Sequence, residues 1–156
     1  MNESINSAAN QAPDHQAALE NVVRFFETMT VESAQTQLPY IYAENASFKD
    51  PFNEVRGLPA IEPLFTHMFV QVQNPRFVIT THILQGNQAF ITWDFLFHMK
   101  RYARDEQCIR GATQLRFNDA GLVEMHRDFW DAAEELYEKL PVVGSLMRVL
   151  KMIARK

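Results

Sequence analysis

The hydrophobic pattern of this chain changes its period once, at Asn74 and Pro75. Before that point apolar residues recur with the spacing of a helix, as Ile61, Leu64 and Phe65 do. After it apolar and polar residues alternate, and this change from a period of about 3.6 to one of about 2 separates helices from strands. Helices followed by a meander predict an α+β domain, with N-terminal helices packed on a curved, mostly antiparallel sheet.

Three helices are predicted before the change of period. The first begins at Asp14, a residue type that caps helix N-termini, and the second lies between Thr36 and Ala43. A short strand, a turn at Asp50 and a return strand follow, and the return strand ends at Gly57. The third helix then extends from Gly57 to the turn at Asn74.

Four strands are predicted after the change, and their sequences are RFVITTHIL, QAFITWDFLFHMK, QCIRGATQLRF and LVEMHRDFW. Residues 86–87 and 118–121 have the composition of hairpin turns, whereas 100–106 is a longer charged connection. Asp131, with Glu134 three positions later, predicts the capped start of another helix. The chain therefore divides into a polar tail at 1–13, one domain at 14–140 and a last helix at 141–156.

The last helix is amphipathic and basic, because its cationic side chains lie beside Leu146, Val149 and Ile153. Such a helix either packs over the domain and leaves its charges in water or lies on an anionic membrane surface. The first arrangement is the more frequent, so we expect peripheral membrane contact to be the exception.

Composition excludes several classes of function. With 156 residues, 47% of them hydrophobic, the chain has material for one core, and its net charge of −4 gives no reason to expect nucleic acid. Its single cysteine rules out an internal disulfide, and its five histidines lack metal-binding spacing. We expect a cytoplasmic protein without a metal or cofactor.

The order of these elements, with FKDPF before the third helix and HRDFWD on the last strand, resembles the NTF2-like superfamily and, more narrowly, its SnoaL-like branch. The resemblance covers residues 14–138 and implies a cone-shaped α+β barrel. The superfamily includes ketosteroid isomerase, limonene-1,2-epoxide hydrolase, polyketide cyclases and non-catalytic binding modules. The fold therefore does not determine the reaction.

The resemblance to ketosteroid isomerase places its proton-shuttling aspartate at Asp50. Its oxyanion-hole tyrosine falls at Phe25 or Phe26, and its oxyanion-hole acid falls near Thr113. A phenylalanine cannot donate a hydrogen bond, and losing one such donor costs a factor of about 10²–10³ in rate. The sequence therefore argues against ketosteroid isomerase chemistry.

The resemblance to the epoxide hydrolase places one catalytic carboxylate at Asp128 and a second at Asp94. It also puts Thr92 where that enzyme has an arginine, and Phe48 and Asp50 where it has a tyrosine and an asparagine. The polyketide cyclase needs only one acid–base carboxylate in the pocket, which either Asp128 or Asp50 could supply.

Strand alternation gives the faces on which these residues lie. His126, Asp128 and Trp130 share a face of the last strand, and Phe90, Thr92 and Asp94 share a face of the strand at 88–100. The resemblance implies that both of these faces look into the cone. The opposite face of the second strand is an apolar stripe of Ile91, Trp93, Phe95 and Phe97, which we expect on the outer side of the sheet.

From these placements we expect a pocket for a small hydrophobic molecule. The catalytic candidates are Asp50, Asp94, Asp128 and His126. The ligand-binding candidates are Phe26, Phe48, Phe65, Met68, Phe90, Thr92, Thr113 and Trp130. Structural alternatives stay open, since Asp50 could start a turn, Asp128 could pair with Arg110 or Arg116, and His126 could be a core residue.

Two classes of function follow from this prediction. In the first, the aspartates catalyse an isomerisation, a cyclisation or a water addition by acid–base chemistry. In the second, the domain is a non-catalytic ligand-binding or dimerisation module. An exposed apolar stripe would also favour a homodimer formed through the outer face of the sheet.

Overall fold

The computed structural model of the protein describes residues 13–100, 105–135 and 152–153. Its helices are α1 His15–Thr28, α2 Val31–Thr36, α3 Leu38–Ile41, α4 Leu58–Gln71 and α5 Ala132–Glu135. Its strands are β1 Tyr42–Lys49, β2 Glu54–Arg56, β3 Val72–Gln85, β4 Gln88–Met99, β5 Glu106–Phe117 and β6 Val123–Phe129. The sequence predictions for 1–12, 136–151 and 154–156 lie outside the described residues.

The predicted α+β architecture is confirmed. The strands form one six-stranded sheet in the order β2-β1-β6-β5-β4-β3, and every neighbouring pair is antiparallel except β1 and β6. The predicted caps are present: the carboxylate of Asp14 accepts the backbone N–H groups of Gln16 and Ala17, and that of Asp131 accepts the N–H of Glu134. The parallel pairing of β1 with β6 joins the β1–β2 hairpin to the last strand of the antiparallel meander.

Two predicted boundaries are wrong. The helix predicted at 36–43 is two short helices that meet at Gln37, and Tyr42 already belongs to β1. The helix predicted to reach Asn74 ends at Gln71, and β3 continues through Asn74 and Pro75. The strand can contain these residues because its register shifts between Gln73 and Arg76, where Asn74 adopts a φ of 50°. Pro75 has no N–H to donate, and it lies in this irregular part of the strand.

The prediction of which face of β4 points inward is also wrong. Ile91, Trp93 and Phe97 are 1%, 6% and 4% exposed and face the helices, whereas Phe90 is 42% exposed. Each large apolar side chain removed from water contributes about 1.5–3 kcal/mol, so the more apolar face of β4 turns inward. The apolar stripe is therefore core, and Phe90, Thr92 and Asp94 lie on the outer face.

No helix among the described residues is both long and apolar enough to cross a membrane.

Substitutions at neighbouring positions of β4 test this face assignment. Ile91→Ala should lower the free energy of unfolding by about 2–5 kcal/mol, because it leaves a cavity in the core. Phe90→Ala should lower it by less than about 1 kcal/mol, because the side chain is already partly in water. Urea unfolding of both variants, at a protein concentration at which the folded chain is monomeric, measures the difference, and a larger loss for Phe90→Ala would contradict the assignment.

Candidate functional site

A cavity of about 980 Å³ lies between the inner face of the sheet and helices α1 and α4. Most of its wall is apolar, and the residues that line it on the sheet and helices include Phe26, Phe48, Phe65, Met68, Phe77, Ile91, Trp93, Phe95, Phe97, Ile109, Thr113, Asp128 and Trp130. The register of the sheet brings the polar members together, because Thr113 pairs with both Ile91 and Asp128.

Asp128 is the carboxylate that this wall presents to the cavity from β6. Its Oδ1 accepts a hydrogen bond of 2.5 Å from the Thr113 hydroxyl and lies 2.8 Å from Nε2 of His126. Its Oδ2 has no hydrogen-bond partner among residues 13–100 and 105–135. The side chain is 17% exposed and lines the cavity, and this oxygen remains available to accept a hydrogen bond.

His126 lies behind Asp128 in the core rather than in the cavity wall. It is 2% exposed, and its Nδ1 lies 2.8 Å from the hydroxyl of Tyr42, which is fully buried. The ring of Phe48 stacks on the imidazole at a centroid distance of 4.6 Å. His126 therefore contacts Asp128 directly and orients it, while Tyr42 and Phe48 orient His126.

Donors and acceptors in this network can be assigned from the chemistry of its members. Complete burial, and then the negative charge of Asp128, raise the pKa of Tyr42 well above the usual value of 10.0, so its hydroxyl keeps its hydrogen. In the described part of the chain, that hydrogen has only Nδ1 of His126 as an acceptor. The Nδ1 atom is therefore bare, and Nε2 carries the hydrogen that is donated to Asp128.

The other predicted carboxylates have different surroundings. Asp50 lines the cavity, but its Oδ1 accepts the backbone N–H groups of Phe52 and Asn53 at 2.7 and 2.6 Å, and both of its oxygens accept from the Asn53 amide. Asp50 is therefore the first residue of a turn that its own side chain stabilises. Asp94 pairs across the sheet with Val78 and Arg110 on the outer face, away from the cavity.

The structure also places the remaining candidates. The cavity wall includes Phe26, Phe48, Phe65, Met68, Thr113 and Trp130. Phe90 and Thr92 lie on the outer face with Asp94, where the Thr92 hydroxyl bonds that of Thr80. The arginines considered as partners of Asp128 pair elsewhere, Arg110 with Glu135 at 3.8 Å and Arg116 with Glu124 at 2.5 Å.

Sequence reasoning missed two members of the network, Tyr42 and Trp93. Tyr42 was assigned to a helix, although a β-prone tyrosine followed by an alternating segment is a signal for the strand β1. Trp93 belongs to the stripe predicted on the outer side of the sheet, whereas in the structure its Nε1 donates to the Thr113 hydroxyl at 2.8 Å. Within the described ranges, no cluster of His, Cys, Asp or Glu side chains could hold a metal ion.

The fold and this carboxylate-bearing cavity define an NTF2-like α+β protein. Residues 19–125 match the family described as the SnoaL-like domain, and this match covers more than half of the 156 residues. The chain belongs to the SnoaL-like domain family. A comparison with curated proteins finds no match.

Solved structures share the fold at low identity. A protein from Jannaschia sp. CCS1, provisionally named a SnoaL-like polyketide cyclase, is 15% identical, with a TM-score of 0.65 over 80% of this chain and 92% of that one. An LEH-like epoxide hydrolase from M. tuberculosis is 13% identical, with a TM-score of 0.63 over 93% and 98%. A hypothetical protein with a ketosteroid isomerase-like fold from Catenulispora acidiphila, solved with trimethylamine, is 16% identical, with a TM-score of 0.63 over 80% of this chain and 91% of that one.

The raised pKa of Tyr42 predicts a specific dependence of stability on pH. Below pH 10 the tyrosine is protonated in both states, and above it only the unfolded tyrosine ionises, so the free energy of unfolding falls by about 1.4 kcal/mol per pH unit from this group. Tyr42→Phe lacks this slope, and at pH 7 it should be less stable by about 1–3 kcal/mol because Nδ1 of His126 loses its donor.

Urea unfolding of both proteins between pH 7 and pH 11 measures this effect. The stability gap between wild type and Tyr42→Phe should narrow as the pH rises above 10. Two curves that stay parallel over that range would show that the Tyr42 hydroxyl titrates normally in the folded protein.

Proposed function

We propose that this protein is an acid–base enzyme in which Asp128 moves a proton within an enolisable, largely apolar carbonyl compound. The observation that carries the proposal is the position of Asp128 in the wall of an apolar cavity, where Thr113 and His126 fix Oδ1 and Oδ2 has no hydrogen-bond partner among the described residues. An oriented carboxylate with one free oxygen in poorly solvated surroundings is suited to general-base catalysis.

The proposed reaction uses one carboxylate twice. Oδ2 of Asp128 takes a proton from the carbon next to a carbonyl group, and the C–H electron pair moves into the carbonyl to give an enolate. In an isomerisation, Asp128 returns the proton to another carbon of the same molecule. In a cyclisation, the enolate carbon forms a bond to a second carbonyl carbon, and Asp128 protonates the resulting alkoxide.

The placement of the other aspartates favours this single-carboxylate chemistry over epoxide opening. Acid–base hydrolysis of an epoxide needs one group to protonate the oxygen and another to activate water. Asp94, the second carboxylate expected from the resemblance, lies on the outer face, and Asp50 is occupied by its own turn. A substrate whose own second carbonyl stabilises the enolate would also require less help from the protein.

A non-catalytic binding module is the second candidate. This candidate is favoured by the hydrogen bonds that hold Asp50 in its own turn. Because of them, the described part of the cavity wall offers no second carboxylate to act with Asp128. In that case Asp128 would orient a polar group of an apolar ligand. The two candidates differ in whether the protein accelerates proton exchange on a bound carbonyl compound.

Asp128→Asn tests the catalytic proposal, with Asp94→Asn as the matched control on the outer face. The assay follows by NMR the exchange of α-hydrogens for deuterium in a panel of apolar 1,3-dicarbonyl compounds. Asp128→Asn should lower the protein-dependent exchange rate by a factor of about 10²–10⁴, because the base is lost. Asp94→Asn should leave the rate within about twofold, since removal of a remote charge changes little.

Wild-type exchange that Asp128→Asn does not lower would exclude Asp128 as the base. Saturable binding of the panel, without exchange by the wild type, would instead establish the binding module. Unfolding midpoints of both variants show whether either substitution has disturbed the fold.

We also propose that the protein forms a homodimer through the outer face of its sheet. The apolar stripe of β4 is buried, so it no longer supports this proposal. The support comes from Val78, Ile83, Phe90 and Phe129, which are 41%, 63%, 42% and 44% exposed. Ile83 and Phe90 are cross-strand partners, and a second copy of the chain could cover the apolar surface that they expose.

Substituting this pair with lysine tests the dimer. Ile83→Lys combined with Phe90→Lys should turn a dimer into a monomer, because two like charges on each subunit would face the partner's apolar surface. Val70→Lys is the control, since Val70 is 62% exposed on α4. Sedimentation equilibrium measures the mass, and a wild type that is monomeric throughout the accessible concentrations would refute the proposal.

A further inference from the structure

Gly111 on β5 leaves the space that Trp93 on β4 occupies. The two residues are cross-strand partners, and a Cβ atom added to Gly111 would lie 2.4 Å from both Cη2 and Cζ2 of the indole. Carbon atoms in favourable contact are about 3.5–4.0 Å apart, so any side chain at Gly111 would displace the ring. The six-membered ring of Trp93 therefore rests on the backbone of β5.

The indole is also fixed on its other side. Phe77 contacts it edge to face at a centroid distance of 5.4 Å, and Trp93 is only 6% exposed. In this position its Nε1 reaches the Thr113 hydroxyl at 2.8 Å. The absence of a side chain at Gly111 is thus what allows Trp93 to contact Thr113.

The direction of the resulting hydrogen bonds is fixed by chemistry. An indole N–H can donate but cannot accept, so the Thr113 oxygen is the acceptor from Trp93. The one hydroxyl hydrogen of Thr113 is then directed to Oδ1 of Asp128, 2.5 Å away. Since His126 also donates to Oδ1, a proton taken up by Asp128 is placed on Oδ2, which has no hydrogen-bond partner in the described part of the chain.

We propose that Gly111 and Trp93 are positioning residues that hold the Thr113 hydrogen on Oδ1 and so confine the exchangeable proton of Asp128 to Oδ2. The proposal rests on the proposed function where it treats Asp128 as the group that exchanges a proton with substrate. The structural part, that Gly111 positions Trp93 for Thr113, stands on the distances alone and is tested without substrate.

A double-mutant cycle tests the contact between the two residues. Gly111→Ala should lower the urea midpoint by about 1 M in the wild-type background, because overpacking forces the indole to move. In the Trp93→Phe background it should lower the midpoint by less than about 0.3 M, because phenylalanine lacks the outer ring atoms that meet the new Cβ. Equal losses in both backgrounds would overturn the proposal. If Gly111→Ala alone does not fold, Trp93→Phe should restore folding of the Gly111→Ala chain, and a double variant that is also unfolded would overturn the proposal.

An NMR signature tests the effect on Thr113. The chain has two tryptophans, so its spectrum contains two indole Nε1–H resonances, and Trp93→Phe assigns the one from Trp93. Thr113→Val should move this resonance upfield and speed its exchange with solvent by at least about tenfold, because the hydrogen bond is lost. A folded Gly111→Ala protein should show a shift of this resonance in the same direction.

A Trp93 resonance that Thr113→Val leaves unchanged would overturn the proposal, because the indole would then not be bonded to Thr113. A folded Gly111→Ala protein with the wild-type resonance would overturn it as well. Neither result depends on turnover. Failure of this inference is therefore separate from failure of the proposed function, which the exchange assay on Asp128→Asn decides.

Discussion

The structure depends on one constraint: the carboxylate of Asp128 lies against an apolar cavity and needs hydrogen-bond donors. A charge withdrawn from water is costly unless it is hydrogen-bonded, and Asp128 is only 17% exposed. The fold supplies two donors to one oxygen, Thr113 from the neighbouring strand and His126 from the same strand. The other oxygen has no hydrogen-bond partner within the described ranges, and the proposed chemistry follows from that asymmetry.

Those donors are themselves held by strands on both sides of Asp128. Trp93 reaches Thr113 from β4, and the parallel pairing of β1 with β6 brings Phe48 beside His126 and Tyr42 within 2.8 Å of its ring. Four strands thus contribute to the position of one carboxylate. A hydrogen-bond network of this kind is stabilising when its members have partners. Removing Trp93 or Tyr42, at its two ends, should therefore disturb the position of Asp128.

The sequence predicted several features that depend on neighbouring residues. The cap at Asp14, the turn at Asp50 and the shared face of His126 and Asp128 are local signals, and the structure has all three. The composition of β4 also indicates its buried face, the stripe that contains Ile91 and Trp93, and the wrong assignment came from the resemblance, which placed Asp94 inside the cone. The contact between Tyr42 and His126 spans 84 positions and depends on a parallel pairing that no local pattern announces.

The tautomer of His126 is the most direct test of this account, because it depends on every assignment in the network. Long-range ¹H–¹⁵N NMR of the imidazole, with His126→Gln to assign its signals, distinguishes the two ring nitrogens. The account predicts a protonated, pyrrole-type Nε2 directed at Asp128 and a bare, pyridine-type Nδ1 that accepts from Tyr42. A bare Nε2 at neutral pH would contradict it, because Asp128 would then have lost one of the two donors that fix Oδ1.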